Sequence, residues 1–386
     1  MKDFKRTWLE IDLDALAYNY QTLSKLNAPA KILGIVKADA YGLGAIEIAR
    51  KFEKLGARYL AVAALSEAVE LRSAGITAPI LILGYTPVEH AAFMAENDIT
   101  QGVSSLELAR EYSSYAEGAS KPLTVHLKLD TGMGRLGFIV NGSFTQRSIA
   151  EIEEAMRLPN LRWEGVFTHF AVSDSEKEND IDYTHQQYDA FKNTIAAIES
   201  DLGMKFELKH CSNSGASDSY TEFHNDMIRP GISMYGVESF NKDVRLKPIY
   251  KLKTVLGPIR PFPEGNTVSY GRLWTAPRES RVGILPIGYA DGLDRRLSGQ
   301  LSVMTPYGPA PVVGRICMDM CMIDLTEIPE ARTGDEIEII GEYNSAVEIA
   351  KKLDTISYVV SCGISRRVPR LYFEDGKLIS TVDYLK

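Results

Sequence analysis

The chain has 386 residues, which at roughly 150 residues per domain suggests two or three domains. Apolar residues make up 45% and charged residues 24%, a globular composition unlike that of a disordered or fibrous chain. The net charge of −8, from 43 basic and 51 acidic residues, argues against nucleic acid or an anionic membrane surface as the main partner.

The opening MKDFKRTWLE has basic residues but no apolar run behind them, and no stretch of 18 apolar residues occurs anywhere. Neither a secretory signal nor a membrane span is expected. Four cysteines cannot form a disulfide framework in so long a chain, so a cytoplasmic location is expected. Thr7 to Leu13 reads as an isolated strand, and residues 1–12 are expected to pair with a later domain. Eight strand-like runs follow, beginning near Ile32, Tyr59, Ile80, Ile99, Thr124, Trp163, Phe206 and Met227. Helical patterns lie between most of them, as at Ala45 to Leu55 and Ser66 to Ala74. Strands alternating with helices imply βαβ units and a parallel sheet, and eight units suggest a closed (β/α)8 barrel of the TIM type. An open doubly wound sheet is the alternative. After about residue 240 the texture changes to Pro, Gly and short β-rich runs such as VGILPIG and GDEIEII, with one helix at Ser345 to Leu353. The expected organisation is an α/β barrel over residues 1–240 and a mainly β domain over 241–386.

In such a barrel, chemistry sits where the strands end. Lys37, Arg135, His169, Asn213, Ser214 and Arg229 fall at such positions. Lys37 closes the strand ILGIV and opens VKADAYGLG. It is either a surface lysine beside a Gly-rich turn or an amine that loses its proton in a partly apolar pocket and forms a Schiff base. In TVHLKLDTGMGRLG (Thr124 to Gly137), alternation puts His126, Lys128 and Asp130 on the interior face. Arg135 follows, and two nearby cations repel. Either Asp130 neutralises them or Lys128 carries a modification that reverses its charge; an ordinary strand with a solvated end is the plain alternative. A histidine such as His169 is more often a satisfied core residue than a catalyst. Ser214, after the seventh strand, resembles a loop entering a helix N-terminus, a natural phosphate site. Gly231, after the eighth, permits close backbone approach. Cys317 and Cys321 lack the further ligands a zinc site needs, so no metal is expected.

VKADAYGLG, HLKLDTGMGRLG, NSGAS, RPGISMYG, VSYG, GYADG, CMDM and RVPR occur in this order from about Trp8 to Arg370. Each is weak alone; together they resemble the alanine racemases, enzymes dependent on pyridoxal 5'-phosphate (PLP). The resemblance implies a (β/α)8 barrel plus a β domain, working as a homodimer with shared active sites and a role in making D-alanine for peptidoglycan. It implies that Lys37 binds PLP and serves as base on one face of the substrate. It matches Tyr270, from the partner subunit, to the base on the other face. Tyr41, Ser214, Gly231, Ile232 and Tyr358 match phosphate-binding positions. Arg229 matches the arginine at the pyridine nitrogen, and His169 the residue between Arg229 and the catalytic tyrosine. Arg135 matches the arginine near the cofactor phenolate and substrate carboxylate, and Met318 a partner-chain contact to that carboxylate. Tyr289 and Tyr358 match tyrosines lining the entrance. Lys128 matches a lysine often carbamylated, which would supply the negative charge wanted beside Arg135. The chain departs from the family at Leu43, often His, and Asp39, often Asn; neither position is catalytic.

Two bases on opposite faces let a proton leave one side of Cα and arrive at the other without either base swinging around the substrate. Arg229 offers only donors, so it cannot hold a proton on the pyridine nitrogen. A racemase for serine or another small amino acid is the nearest alternative. A PLP-dependent decarboxylase is disfavoured by Arg229, where those enzymes usually have a carboxylate. A non-catalytic PLP carrier is disfavoured by the residues after Phe240.

Overall fold

The computed structural model describes residues 6–385. Eight parallel strands form the barrel wall: Lys31–Ile35, Tyr59–Val62, Ile80–Ile82, Ile99–Val103, Leu123–Asp130, Leu161–Phe167, Leu208–His210 and Met227–Ile228. The registers include Leu33 against Tyr59, Ile80 against Ile99, and Gln101 against Val125. Met227 pairs with Lys31. On the other side of that strand, Asp226 N donates to Lys209 O (3.0 Å) and Arg229 N to Ser212 O (2.8 Å), which brings the seventh and eighth strands together. Most of the strands are short and apolar because both faces are buried, inward against the barrel interior and outward against helices; the exceptions are inward-facing polar residues such as His126, Glu164 and His210.

The helices follow the pattern in the sequence. Ala45–Leu55 buries Ile48, Ala49 and Phe52 against the wall and ends at Gly56, whose φ of 84° is the left-handed stop that glycine adopts without strain. The helix expected at Ser66 to Ala74 spans Leu65–Ser73. Ala346–Leu353 starts at a capping box in which Ser345 and Glu348 satisfy each other's backbone N–H groups.

The second sheet is mainly antiparallel. Thr7–Asp12 lies inside it, antiparallel to Tyr250–Val255 and parallel to Arg370–Glu374. The first strand of the chain therefore belongs to the sheet formed by its last third; residues 1–5 of the expected 1–12 pairing lie outside the described residues. Arg370 fastens this sheet to the barrel. It is fully buried. Its guanidinium donates to the carbonyls of Gly42 (2.8 Å), Ile364 (3.0 Å), Ser365 (2.7 Å) and Val368 (2.5 Å). Tyr372 Oη donates to Leu43 O (2.8 Å) beside it. Both contacts grip the loop just after Lys37. Arg370→Ala would strand these buried carbonyls without donors, and we expect it to lower unfolding free energy by about 3 kcal/mol. Urea unfolding measures this; a loss below about 1 kcal/mol would mean that water takes over the carbonyls.

Candidate active site

Lys37 follows the first barrel strand. The backbone then makes a turn that no glycine announces: Ala38, Asp39, Ala40 and Tyr41 all have φ between 51° and 58°. Four consecutive left-handed residues are costly for L-amino acids and persist only where surroundings over-determine them. Here the Asp39 carboxylate accepts from Ala45 N (2.9 Å) and Tyr384 Oη (2.7 Å), and the Gly42 and Leu43 carbonyls are held by Arg370 and Tyr372. The turn carries Tyr41 back over the barrel mouth.

A cavity of about 330 Å³ opens there, at the C-terminal ends of the strands. Lys37, Tyr41, Lys128, Arg135, His169, Ser214, Arg229, Gly231 and Tyr358 all line it. Ile232 follows Gly231 and turns its side chain into the core. Asn213 caps the short helix Ser214–Ser219, and Ser214 Oγ accepts from Gly231 N (2.8 Å), joining the loops after the seventh and eighth strands.

The cavity is rich in cations. Burial holds Lys37 below the usual lysine range, with Arg135 and Arg229 adding to the effect. Burial, then Arg135 and Arg229, pushes Lys128 down to about 8. Lys128 Nζ donates to Leu83 O (3.1 Å). Asp130 does not pair with it: its carboxylate accepts from the backbone N–H groups of Gly132, Gly134 and Arg135 at 2.9–3.1 Å and shapes the loop that presents Arg135. Arg229 is buried, which lowers it to about 10, still protonated at neutral pH. It donates to Thr168 O (2.7 Å), Cys211 O (2.9 Å) and His210 Nδ1 (3.0 Å), with His169 Nδ1 at 3.4 Å. Burial and the Arg229 charge hold His169 well below the usual histidine range, so it is neutral.

Besides Ile232, three expected site residues are not in this cavity. Tyr270, Tyr289 and Met318 lie on the β domain, with Tyr270 71% exposed, and Tyr270 borders a separate apolar hollow with Val268, Met320 and Met322.

The pattern described as "Alanine racemase, N-terminal domain" matches residues 11–239, and that described as "Alanine racemase, C-terminal domain" matches residues 249–372. The chain belongs to the alanine racemase family. Among relatives of this alanine racemase family member, "Alanine racemase 2" of Caldanaerobacter subterraneus subsp. tengcongensis is 42% identical over 100% of this chain and 99% of its own. "Alanine racemase 1" of Clostridium acetobutylicum is 41% identical over 100% of both chains. The solved alanine racemase of Clostridium difficile superposes with a TM-score of 0.94 at 39% identity, covering 100% of each chain. That of Bacillus anthracis with bound L-Ala-P gives 0.90 at 34%, covering 100% of this chain and 99% of the other. The chain is thus an isomerase, an amino-acid racemase with the barrel-plus-β fold of its family.

Sequence reasoning gave no role to Glu164 or His210, which lie beneath the cavity in the barrel interior. A lone acid in the otherwise apolar WEGVF was the available signal for Glu164.

Proposed function

We propose that the chain interconverts L-alanine and D-alanine with PLP as cofactor, supplying D-alanine for peptidoglycan in the cytoplasm. One observation carries this reading: Lys37, Lys128, Arg135 and Arg229 converge on one cavity, and none of them pairs with a carboxylate among the described residues. Cations so close repel unless an anion joins them. A phosphate group and an amino-acid carboxylate are anions of the right size.

The residues fit PLP. A Cβ on Gly231 would lie 2.5 Å from Tyr41 Oη, so only glycine lets that phenol close over the backbone there. The Tyr41 and Tyr358 rings stand 5.7 Å apart on the same side. Ser214, Gly231 and Ile232, on the loops where this fold usually binds a phosphate, would hold it together with Tyr41 and Tyr358. Lys37 would anchor the aldehyde end. Arg229 would donate to the pyridine nitrogen, and Arg135 would face the phenolate and the substrate carboxylate. Bound PLP supplies the electron sink that stabilises negative charge at the substrate Cα. Lys37 Nζ, whose pKa burial lowers, takes or returns the Cα proton on one face. The second base, Tyr270, belongs to a second copy of the chain. Support comes from the exposed Tyr270, Leu273, Tyr289, Met318 and Met320, an apolar surface of the kind that marks a protein interface. In this reading residues 1–240 bind the cofactor, and residues 241–386 lend Tyr270 and Met318 to the partner's site. Tyr289 and Tyr358 would narrow its entrance. A carbamate on Lys128 would place a negative charge beside Arg135.

Gly231→Ala should weaken PLP binding about tenfold or more, read by absorbance titration, because the added methyl opposes Tyr41; a loss under about twofold would move the phosphate elsewhere. The reading as a whole is tested with L-alanine, protein and PLP in D₂O. Deuterium at Cα with accumulating D-alanine supports it. Ethylamine would mean decarboxylation, and no exchange would overturn it.

A further inference from the structure

Below the cavity, four side chains from four barrel strands or strand ends form a line through the barrel interior. Arg229 Nη1 lies 3.0 Å from His210 Nδ1, His210 Nε2 lies 3.0 Å from His126 Nδ1, and His126 Nε2 lies 3.3 Å from Glu164 Oε2. The direction of every bond in this line follows from one end. A guanidinium has no acceptor, so Arg229 donates and His210 Nδ1 carries no proton. A neutral His210 then holds its proton on Nε2 and donates it to His126 Nδ1. His126 likewise holds its proton on Nε2 and donates to Glu164. Both rings are completely buried, and burial holds both below the usual histidine range, so each is neutral. At the far end, burial raises the Glu164 carboxyl, but hydrogen bonds from His126, Tyr59 and Arg162 outweigh it and bring it down to about 2. It is an anion.

The sequence gives up side chains to make room for this line. A Cβ on Gly165 would lie 2.7 Å from the His126 ring, so that strand position must be glycine while the imidazole stays. His210 is stacked on Phe167 at 5.0 Å with an interplanar angle of 3°. The rings are held in place, not merely accommodated.

We propose that His210, His126 and Glu164 are positioning residues for Arg229: a one-way donor chain that fixes the guanidinium and presents its remaining N–H groups to the cavity. This inference rests on the proposed role of Arg229 toward PLP. Nη2 spends both its N–H groups on Thr168 O and Cys211 O, with His169 Nδ1 a longer third partner, and Nη1 spends one on His210 Nδ1, which leaves Nε–H and the second Nη1 N–H for an acceptor in the cavity that Arg229 lines. If His210 turned to its other tautomer, N–H would face N–H and the guanidinium would have to move. Glu164, anionic at the other end, fixes the tautomer of both rings from a distance.

The first test needs no cofactor. Histidine ¹⁵N NMR of the full chain before PLP is added should show His126 and His210 as neutral Nε2–H tautomers that do not titrate between about pH 6 and 9. An Nδ1–H tautomer or a titrating ring at either position would overturn the proposal. The second test compares His126→Leu with His126→Asn in the PLP-loaded enzyme. Leucine leaves His210 Nε2–H without an acceptor; asparagine keeps an acceptor oxygen near the position of Nδ1. His126→Leu should cost about tenfold in kcat with KM within about twofold, and should shift the pH profile of the bound-cofactor absorbance. His126→Asn should recover most of both. Equal losses in the two variants, or an unmoved pH profile, would reduce the line to packing and overturn the positioning role. Failure of the unaltered chain to bind PLP would instead overturn the cofactor reading, while the tautomers would still report on the donor chain itself.

Discussion

Lys37→Ala is expected to abolish racemisation, with kcat/KM falling at least about 10³-fold, while the protein stays folded. The residue stands at the end of the first barrel strand, lines the cavity and is held below the usual lysine range. In the proposed mechanism it is both cofactor anchor and base, and alanine can be neither. Stability should not suffer. Lys37 forms no ion pair among the described residues, and burial, then the Arg135 and Arg229 charges, disfavour its ammonium form. Removing it relieves repulsion and leaves no buried partner unsatisfied. Thermal unfolding should therefore be unchanged or slightly higher. Residual activity above about a tenth of the unaltered enzyme would remove Lys37 from the chemistry.

The fold was largely legible because its pattern is local. Strand-like runs near Ile32, Tyr59, Ile80 and Ile99 became barrel strands, and the helices between them followed their apolar spacing. Thr7–Asp12 was readable as a strand, with pairing to a later domain expected, and it lies between two strands more than 200 residues away. What stayed hidden depends on distant residues. The left-handed run Ala38 to Tyr41 contains no glycine, so nothing local signals it; it is enforced by Tyr384, Arg370 and Tyr372 from the far end of the chain. Spacing alone left Asp130 as one of two ways to offset the Lys128 and Arg135 charges, a modified Lys128 being the other. The Asp130 carboxylate is instead used up on three backbone N–H groups of its own loop, because a glycine-rich turn leaves those donors open. Strand alternation put His126 inside the barrel, but its partners Glu164 and His210 come from other strands, and only closure of the sheet lines them up. The motif resemblance named Tyr270 and Met318, yet a single chain keeps both on its outer surface. The role proposed for them depends on an assembly that one sequence does not display.

That assembly carries the second large prediction. If Tyr270 serves the partner subunit's cavity, Lys37→Ala and Tyr270→Ala damage opposite halves of each shared site. Each variant alone should be inactive, since every site of either homodimer lacks one base. A mixed dimer is different. One of its sites lacks both bases, but the other joins the intact Lys37 of one chain to the intact Tyr270 of the other. Random assembly makes about half the dimers mixed, each with one complete site of two, so co-expression should restore about a quarter of full activity from two inactive parents. Purification through two different tags should isolate the mixed dimer and raise the recovery to about half. The exposed Tyr270, Leu273, Met318 and Met320 would supply the surface on which such chains meet in the proposed dimer. No recovery at any mixing ratio, with mixed dimers present, would mean that Tyr270 is not shared and that the second base belongs to the same chain as Lys37. Recovery near a quarter has no explanation in a site built from one chain, because neither parent could contribute what the other lacks.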